Sequence, residues 1–366
     1  MDERVARALA GFEIPEGEMR AEPYGNGHIN HTYHVTVGEN GEQYILQEIN
    51  AYVFHHPDQV QENIQAVTDH LRRKIAQEGG DPERETLRLI PCREGGFCLL
   101  DRGAGEEHWW RMFRFVEDTS SMDLPDSPAV FEKCGRAFGK FQRRLADFPA
   151  ETLHETIPRF HHTPWRVEQL EEAARKDAKG RLRQVKEEMD FCMKKAEDAA
   201  RLTDALAAGR LPLRVTHNDT KLNNVLLDRH TGEALCVVDL DTVMPGLTAY
   251  DYGEAIRTGA STAPEDERDL SRVDLSLPMV KAYTRGFLQE AGDQMTGAEI
   301  QSLPWGARLM TLENGLRFLA DYLEGDVYYS IHRPEHNLDR ARAQLALLRK
   351  MEEKWEDLLA AVEQGR

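Results

Sequence analysis

The sequence contains few cysteines and no long apolar run. Its five cysteines are odd in number and include no CxxC pair, which argues against a disulfide framework and a structural zinc site. No stretch approaches the roughly 18 apolar residues of a membrane-spanning helix. The acidic N-terminus also lacks the apolar segment of a signal peptide. We therefore expect a soluble, cytoplasmic protein.

Basic residues are outnumbered: 46 Lys and Arg against 64 Asp and Glu give a net charge of -18 at pH 7. Because no basic run offsets this charge, a nucleic-acid or anionic membrane partner is not expected. The net negative charge does not exclude a small anionic substrate, which a local cluster of residues could hold. The length of 366 residues allows one large domain or two modest ones.

The first half of the chain predicts a small sheet. Residues 31–37 and 43–49 flank a glycine-containing turn and are expected to form a hairpin. Two more strand pairs are expected around residues 85–101 and 106–118, and residues 56–80 have helical spacing. We predict a β-rich, nucleotide-binding N-terminal lobe over residues 1–116.

The second half predicts long helices. Residues 127–148 begin with Ser-Pro, a favourable helix start. Residues 165–209 are expected to form one or two solvated helices, and residues 336–364 a closing helix. We predict a helical lobe over residues 117–366, and hence an α+β fold of two lobes.

The stretch THNDTKLNNVLLD, residues 216–228, carries the strongest functional signal. A two-residue turn at Thr231-Gly232 would fold the apolar runs around it into an antiparallel hairpin. In that register Asn224 faces Asp239, and directly opposed residues lie about 5 Å apart. Their oxygens would then be placed to hold one Mg²⁺.

This layout matches the needs of phosphoryl transfer. A carboxylate must orient the attacking hydroxyl, and metal ligands must neutralise the phosphates. His217, Asp219 and Asn224 have the spacing H-x-D-x-x-x-x-N of a kinase catalytic loop. Lys221 would offset charge on the transferred phosphoryl group. The alternative is a polar turn followed by solvated acids at a strand end.

Together, THNDTKLNN and VVDLDTVMPGLTAYDYGEAIR resemble the aminoglycoside-phosphotransferase-like superfamily, and within it the N-acetylhexosamine 1-kinases. The resemblance continues in GNGHINHTYHV, WRMFRFVEDT and TLENGLRFLADYLEGDVYY, and so covers nearly the whole chain. It implies a two-lobed protein-kinase-like fold that uses ATP and Mg²⁺.

The implied reaction moves the γ-phosphate of ATP onto the anomeric hydroxyl of N-acetylglucosamine or N-acetylgalactosamine. By the resemblance, Asp219 is the base, and Asn224 and Asp239 are the metal ligands. Arg317 and Tyr328 match positions that hold the sugar.

The segment YGNGHINHTY is a candidate phosphate-covering loop. Gly25 and Gly27 would allow close backbone approach, and Asn26, His28 and Asn30 would supply donors. An ordinary turn is the alternative, since a GxG pair alone is weakly specific.

The segment RFVED, which includes Phe115 and Glu117, is predicted to be the hinge whose backbone pairs with adenine.

The sequence departs from the general kinase pattern at Gln47, which stands in the strand where a kinase keeps a phosphate-binding lysine. Gln47 can donate a hydrogen bond but carries no charge. Before Lys133 the only lysine is Lys74, so the neutralising cation must come from elsewhere. The rival hypothesis is an idle nucleotide-binding module.

Three further sites have open roles. Asp241 lies two residues after Asp239 and is either a substrate or supporting contact or a solvated acid. Asp251 is expected to hold the catalytic loop. The segment 160–166, FHHTPWR, either lines the acceptor pocket or forms a loop. Aminoglycosides, choline or another sugar remain alternative acceptors, although Arg317 disfavours a polycation.

Overall fold

The computed structural model describes residues 2–25, 29–38 and 41–365, and the chain divides into two compact units. The first unit comprises Met1–Ser120, Asp147–Ile157 and Leu226–Pro245. The second comprises Ser121–Ala146, Pro158–Val225 and Gly246–Arg366. The sequence-based division at residue 116 instead assigned 226–245 to the helical lobe. This hairpin segment joins the first unit because it pairs with a strand at residues 119–120.

The first unit is built on an antiparallel sheet with the strand order β1-β2-β3-β5-β4. The strands are β1 (Met19–Pro23), β2 (His31–Val37), β3 (Glu42–Ile49), β4 (Leu99–Asp101) and β5 (His108–Arg114). The predicted β2–β3 hairpin is confirmed, with Thr32 opposite Gln47. Alternate side chains reach the core, so Val35, Leu46 and Trp110 are fully buried.

Two helices accompany this sheet, α1 (Glu3–Ala10) and α2 (Pro57–Gln77). Helix α2 was predicted, and it begins with Pro57 in its first turn. Helix α1 was not predicted from the sequence. Its apolar face joins the core of the sheet through Val5, Ala8 and Leu9.

The strand pair expected at residues 85–101 is largely wrong. Only Leu99–Asp101 forms a strand there, while Leu89 makes an isolated bridge to Phe113. Gly95 and Gly96 both have positive φ angles, which bend the chain before a longer ladder can form.

The remaining strands are β6 (Thr119–Ser120), β7 (Arg214–Thr216), β8 (Val225–Asp228), β9 (Ala234–Val237) and β10 (Met244–Gly246). Strands β8 and β9 are neighbours in one sheet, as predicted. The two-residue turn is wrong, because residues 229–233 separate them. The Asp228 carboxylate accepts the backbone N–H groups of His230 and Thr231 at 3.0 and 2.9 Å and stabilises this longer loop.

The second unit is helical. Its helices are α3 (Pro128–Arg144), α4 (Thr163–Lys176), α5 (Lys186–Lys195), α6 (Arg201–Ala207), α7 (Thr248–Gly259), α8 (Leu277–Ala291), α9 (Gly297–Glu324), α10 (His336–Glu353) and α11 (Trp355–Gln364). The region 165–209 forms three short helices with buried Leu170, Cys192 and Leu202, so it is not a purely solvated face. The predicted closing helix is interrupted at Lys354.

Helices α7 and α9 approach closely at two glycines. A methyl group on Gly306 would collide with the carbonyl oxygen of Ala249, and one on Gly253 with that of Gly306. This contact fixes the relative position of α7 and α9, which carry Asp251 and Arg317. Across the described residues, no helix is both long and apolar enough to cross a membrane.

Candidate active site

Asp251 of helix α7 holds the segment that carries the predicted base. Its carboxylate accepts the backbone N–H of His217 at 2.9 Å and that of Asn218 at 2.7 Å. Gln142 of helix α3 donates to the same carboxylate at 2.7 Å. Because Asp251 is fully buried, these bonds replace the hydration that the carboxylate loses. The predicted structural role of Asp251 is confirmed.

His217 is a core residue of the loop that carries the predicted base. Its side chain is fully buried, and its ring makes edge contacts with Phe138 and Phe141 at centroid distances of 5.5 and 5.9 Å. The next residue, Asn218, has a φ angle of 65°, a left-handed conformation that asparagine tolerates better than most residues. The buried packing of His217 and the tight turn at Asn218 thus fix the backbone that precedes Asp219.

The predicted base, cation and amide lie together. The Lys221 Nζ is 2.7 Å from Oδ1 of Asp219. The Asn224 side-chain amide donates to the other carboxylate oxygen at 3.1 Å and to the Asp219 carbonyl at 2.8 Å. Asn224 ends a short 3₁₀ turn, Leu222–Asn224, that leads into β8. The structure therefore brings Asp219, Lys221 and Asn224 into one cluster.

Electrostatics keep Asp219 ionised. Burial raises the pKa of this carboxyl, but Lys221 and His217 outweigh that effect and leave its pKa below the ordinary value. The hydrogen bond from Asn224 acts in the same direction. The neighbouring Asp219 carboxylate raises the pKa of the Lys221 ammonium. The pair is therefore a carboxylate and an ammonium at neutral pH.

The predicted hairpin register, in which Asn224 faces Asp239, is wrong. Asn224 precedes strand β8 in a helical turn, and Asp239 follows β9 with a left-handed φ of 59°. Neither residue is part of the strand ladder. Asp239 is exposed at the start of the short turn Leu240–Thr242.

The chemistry of these two side chains suits Mg²⁺. The nitrogen of the Asn224 amide is engaged by Asp219, which leaves its oxygen for a cation. Asp239 offers an exposed carboxylate. Magnesium is typically held by one or two protein oxygens, with phosphate and water completing its shell. The predicted ligand types therefore fit the ion.

Asp241 is not a solvated acid. It is buried, forms an ion pair with Arg111 of β5, and accepts a hydrogen bond from the Asn30 amide at 2.5 Å. The Asn30 oxygen accepts the backbone N–H of Asn50 at 3.0 Å. These bonds favour a positioning role for Asp241 over the sugar contact predicted for it, and they commit the Asn30 side chain to the protein.

The candidate phosphate-covering loop is described only at its edges. Gly25 has a φ of 76°, and apart from its chain neighbours no atom of the described residues lies within 4 Å of the position that a Cβ would take. This open, left-handed position suits close approach of a ligand to the backbone. The predicted contributions of Asn26, Gly27 and His28 lie outside the described residues.

The predicted hinge follows β5 directly. The Phe115 N–H donates to the Gln43 carbonyl at 3.0 Å, so that N–H is not free to pair with adenine. The Glu117 carbonyl accepts from the Arg84 side chain at 3.2 Å. The Phe115 ring makes an edge contact with His34 at a centroid distance of 4.7 Å. Since the Phe115 N–H is already bonded, the aromatic ring is the part of this residue that suits contact with adenine.

Gln47 is committed to its strand neighbours. Its amide nitrogen donates to Thr32 Oγ1 at 3.0 Å, and its oxygen accepts from the Arg111 Nε at 2.9 Å. Gln47 therefore positions Arg111, and its predicted role as a direct phosphate donor is not favoured by these contacts.

Arg317 lies on helix α9 among aromatic side chains. Its guanidinium is 5.5 Å from the Phe160 ring centroid and 5.6 Å from that of Tyr329. Within the described part of the chain, no hydrogen bond or ion pair of its guanidinium is found. Glu254 of α7 influences both Arg317 and Lys221 electrostatically, so the two cations lie in the same region of the helical unit.

A buried carboxylate stands one helical turn before Arg317. Glu313 accepts from His161 Nδ1 at 2.9 Å and from the Thr163 hydroxyl at 3.1 Å. Burial raises the pKa of Glu313, but His161, and then Arg166 and Arg317, outweigh it and hold the pKa below its usual value. Burial, with Arg317 as the next cause, lowers the pKa of Arg166 to about 10.

Several polar atoms of this cluster are candidates for contact with a ligand. The Nε2 of His161, the Nε of Arg166 and the hydroxyl of Tyr329 are buried and have no hydrogen-bond partner among the described residues. Such atoms usually have a partner in a folded protein. The alternative that FHHTPWR lines the acceptor site is thus the one that the contacts favour.

Tyr328, the second predicted sugar contact, follows helix α9 and is exposed. Its backbone N–H donates to buried Asp321 at 2.8 Å. The same carboxylate accepts from Val327 and Tyr329 at 2.9 and 3.0 Å. Asp321 therefore fixes the loop that carries both tyrosines.

Sequence reasoning missed the supporting residues Arg111, Arg166, Glu313 and Asp321. The four-residue spacing of Glu313 and Arg317 places them on one helix face and was the available signal. Arg111 had no such local signal, because its contact with Gln47 joins strands that are distant in sequence.

Residues 20–285 match the model of the phosphotransferase enzyme family. The chain belongs to this family. The prediction that it is a phosphotransferase is thereby confirmed.

Solved structures support the fold of this phosphotransferase. A microcompartment-associated aminopropanol kinase has a TM-score of 0.58 at 18% identity, covering 98% of this chain and 99% of its own. Choline kinase from Cryptosporidium parvum has a TM-score of 0.56 at 13% identity, covering 99% of both chains. Spectinomycin phosphotransferase, in complex with ADP and spectinomycin, has a TM-score of 0.55 at 12% identity, covering 94% and 96%. The predicted α+β, two-lobed protein-kinase-like fold is confirmed.

Proposed function

We propose that this phosphotransferase is a cytoplasmic kinase that uses ATP and Mg²⁺ to phosphorylate the anomeric C1 hydroxyl of an N-acetylhexosamine. The acceptor is N-acetylglucosamine or N-acetylgalactosamine. Membership of the phosphotransferase family supports the reaction class, and the ADP bound to spectinomycin phosphotransferase supports an adenine nucleotide as donor. The resemblance of the long sequence motifs to N-acetylhexosamine 1-kinases supports the acceptor.

Asp219 acts on the acceptor in this proposal. Its carboxylate is ionised at neutral pH, so it accepts a hydrogen bond from the C1 hydroxyl and receives the proton late in transfer. Lys221, 2.7 Å from this carboxylate, offsets charge on the moving phosphoryl group. Positioning and charge stabilisation are the main contributions that a protein makes to phosphoryl transfer.

Magnesium, when bound, neutralises the phosphates of the donor. The sequence motif names Asn224 and Asp239 as the residues that would hold it. The oxygen of Asn224 is left for this purpose by the two bonds that its nitrogen makes to Asp219.

The donor site is proposed to include Gly25, Asn26, Gly27, His28 and Asn30 of the phosphate-covering loop. Asn30 would act there mainly through Asp241 and Asn50. Gln47, Phe115 and Glu117 complete the proposed nucleotide site, with the Phe115 ring as the contact to adenine.

The charges around Arg317 are the observation that supports the proposed class of acceptor. Arg317 and Arg166 are two guanidinium groups that influence one another electrostatically, and both also influence the buried Glu313 carboxylate, which is bonded to His161. A cationic acceptor would be repelled, whereas hydroxyl and carbonyl oxygens would accept hydrogen bonds from both arginines. This favours a neutral, oxygen-rich sugar over choline, an amino alcohol or an aminoglycoside. Arg317 and Tyr328 are the proposed sugar contacts.

The product of the reaction tests the proposal. The protein is incubated with ATP, Mg²⁺ and ¹³C1-labelled N-acetylglucosamine or N-acetylgalactosamine, and ³¹P–¹³C coupling at C1 is expected. In a parallel screen with choline, aminopropanol and spectinomycin, the hexosamines should have the highest kcat/KM. A preference for an amine acceptor would reject the sugar assignment. Stabilisation by ATP without ADP release on any acceptor would instead identify an idle nucleotide-binding module.

A further inference from the structure

We infer that Arg111 supplies the phosphate-binding cation of the sheet unit, in place of the lysine that this chain lacks. The inference rests on the proposed use of ATP as donor. The ligand is the α- and β-phosphate portion of a nucleoside triphosphate, and the site comprises Arg111, Gln47 and Asp241.

The sheet register places Arg111 where a lysine on β3 would act. Gln47 of β3 is the residue at the expected lysine position, and it lies directly opposite Arg111 of β5. Directly opposed residues of antiparallel strands project from the same face of the sheet. In this chain the cation is therefore on β5 instead of β3, on the same face of the sheet.

Three side chains orient the guanidinium. The Arg111 Nε donates to Gln47 Oε1 at 2.9 Å, and Gln47 is in turn held by its bond to Thr32 at 3.0 Å. One terminal nitrogen of Arg111 forms the ion pair with Asp241. This pairing parallels the Lys–Glu ion pair that protein kinases use to position their phosphate-binding lysine.

The other terminal nitrogen of Arg111, Nη1, has no hydrogen-bond partner within the described residues, although it is buried and Arg111 is only 1% exposed. A buried donor without a partner costs free energy, and one on a charged group costs more. A guanidinium group offers only donors and accepts no hydrogen bond. An anionic oxygen is the partner that best satisfies such an N–H group.

The same arrangement explains why residue 47 is glutamine. A lysine there would place a second cation directly opposite Arg111, and opposed like charges destabilise a strand pair. Gln47 instead offers an oxygen to Arg111 and a nitrogen to Thr32. Residue 47 is thus neutral because the positive charge of this site is on Arg111.

Calorimetric titration of the full chain with MgATP and with adenosine, both without acceptor, tests the inference. Arg111→Met should weaken ATP binding by about 10- to 100-fold, the range expected when a charge-assisted hydrogen bond is lost, and leave adenosine binding unchanged. Arg111→Lys should retain part of the ATP affinity. Arg20→Met, on β1 of the same sheet but exposed and paired with Glu18, is the matched control and should bind ATP like wild type.

Removing Arg111 alone leaves Asp241 buried without its cation and can prevent folding. The double variant Arg111→Met/Asp241→Asn removes both charges, and its folding is checked by circular dichroism and adenosine binding. Wild-type ATP affinity in either Met variant that still binds adenosine would overturn the inference while leaving the proposed function intact. Wild-type protein that binds no ATP would overturn the donor assignment, and the inference with it.

Discussion

The backbone N–H of Asn218 donates a hydrogen bond of 2.7 Å to the buried carboxylate of Asp251. Asn218 directly precedes the proposed base, and its left-handed φ of 65° is held by this bond. Helix α7 thereby sets the backbone from which the Asp219 side chain projects. Asp251 acts on the proposed reaction through this backbone and without contact to the substrate.

We predict that Asp251→Asn lowers both stability and turnover. One carboxylate oxygen becomes an NH₂ group that faces a backbone N–H, so the free energy of unfolding should fall by about 1–3 kcal/mol. The value of kcat should fall more than KM changes, because the position of Asp219 is disturbed. Urea unfolding and steady-state kinetics measure the two effects. Asp293→Asn, an exposed control, should change neither, and equal behaviour of the two variants would contradict the assigned role.

Asp219→Asn is expected to lower kcat by about 10²- to 10⁴-fold, the usual contribution of general base catalysis. The amide retains the shape of the side chain but cannot accept the proton. ATP binding, measured by calorimetry, should survive. Turnover at the wild-type rate with any acceptor would show that Asp219 is not the base.

The Lys221→Met substitution should move the acidic limb of the kcat/KM profile to higher pH. Burial raises the pKa of Asp219, and Lys221 is the largest influence that lowers it. Without the ammonium, the pKa rises, so the carboxylate is protonated, and activity lost, at a higher pH than in wild type. Lys221→Arg keeps the charge and should keep the limb near its original position. A profile whose limb is the same in Lys221→Met would refute this electrostatic coupling.

Local pattern accounts for the parts of the fold that the sequence predicts. The alternation in residues 31–37 gives β2, and the Pro57 start and glycine end give α2. The spacing of Asp219, Lys221 and Asn224 correctly placed three groups in one cluster because a short loop joins them.

Contacts between distant segments account for what the sequence does not predict. The loop between β8 and β9 is longer than predicted because Asp228 captures two backbone N–H groups, a choice that competes with a two-residue turn. Gln47 and Arg111 are 64 residues apart, so their pairing requires knowledge of strand order. The His161–Glu313 contact joins two segments 152 residues apart and has no local sequence signature.

Asp321→Ala should raise the KM for the sugar. Its carboxylate accepts three backbone N–H groups of the loop that carries Tyr328, and losing them frees that loop. Binding of ATP and the pH profile of kcat should be unchanged, because Asp219 is not involved. Steady-state kinetics with varied acceptor measure the effect. Glu324→Ala, exposed at the end of the same helix, is the control, and an equal KM in both variants would count against the role of Asp321.

Arg317→Met is expected to raise the KM for N-acetylhexosamine by about 10- to 100-fold, because a hydrogen bond to a charged donor is worth about 1.5–3 kcal/mol. The affinity for ATP should stay at the wild-type value. Arg317→Glu should weaken sugar binding further and relax the discrimination against choline and aminopropanol, since the charge that repels a cation is reversed. Initial rates with each acceptor, compared with Arg349→Met as an exposed arginine control, measure both effects. Sugar kinetics in Arg317→Met that match those of the control would remove Arg317 from the acceptor site.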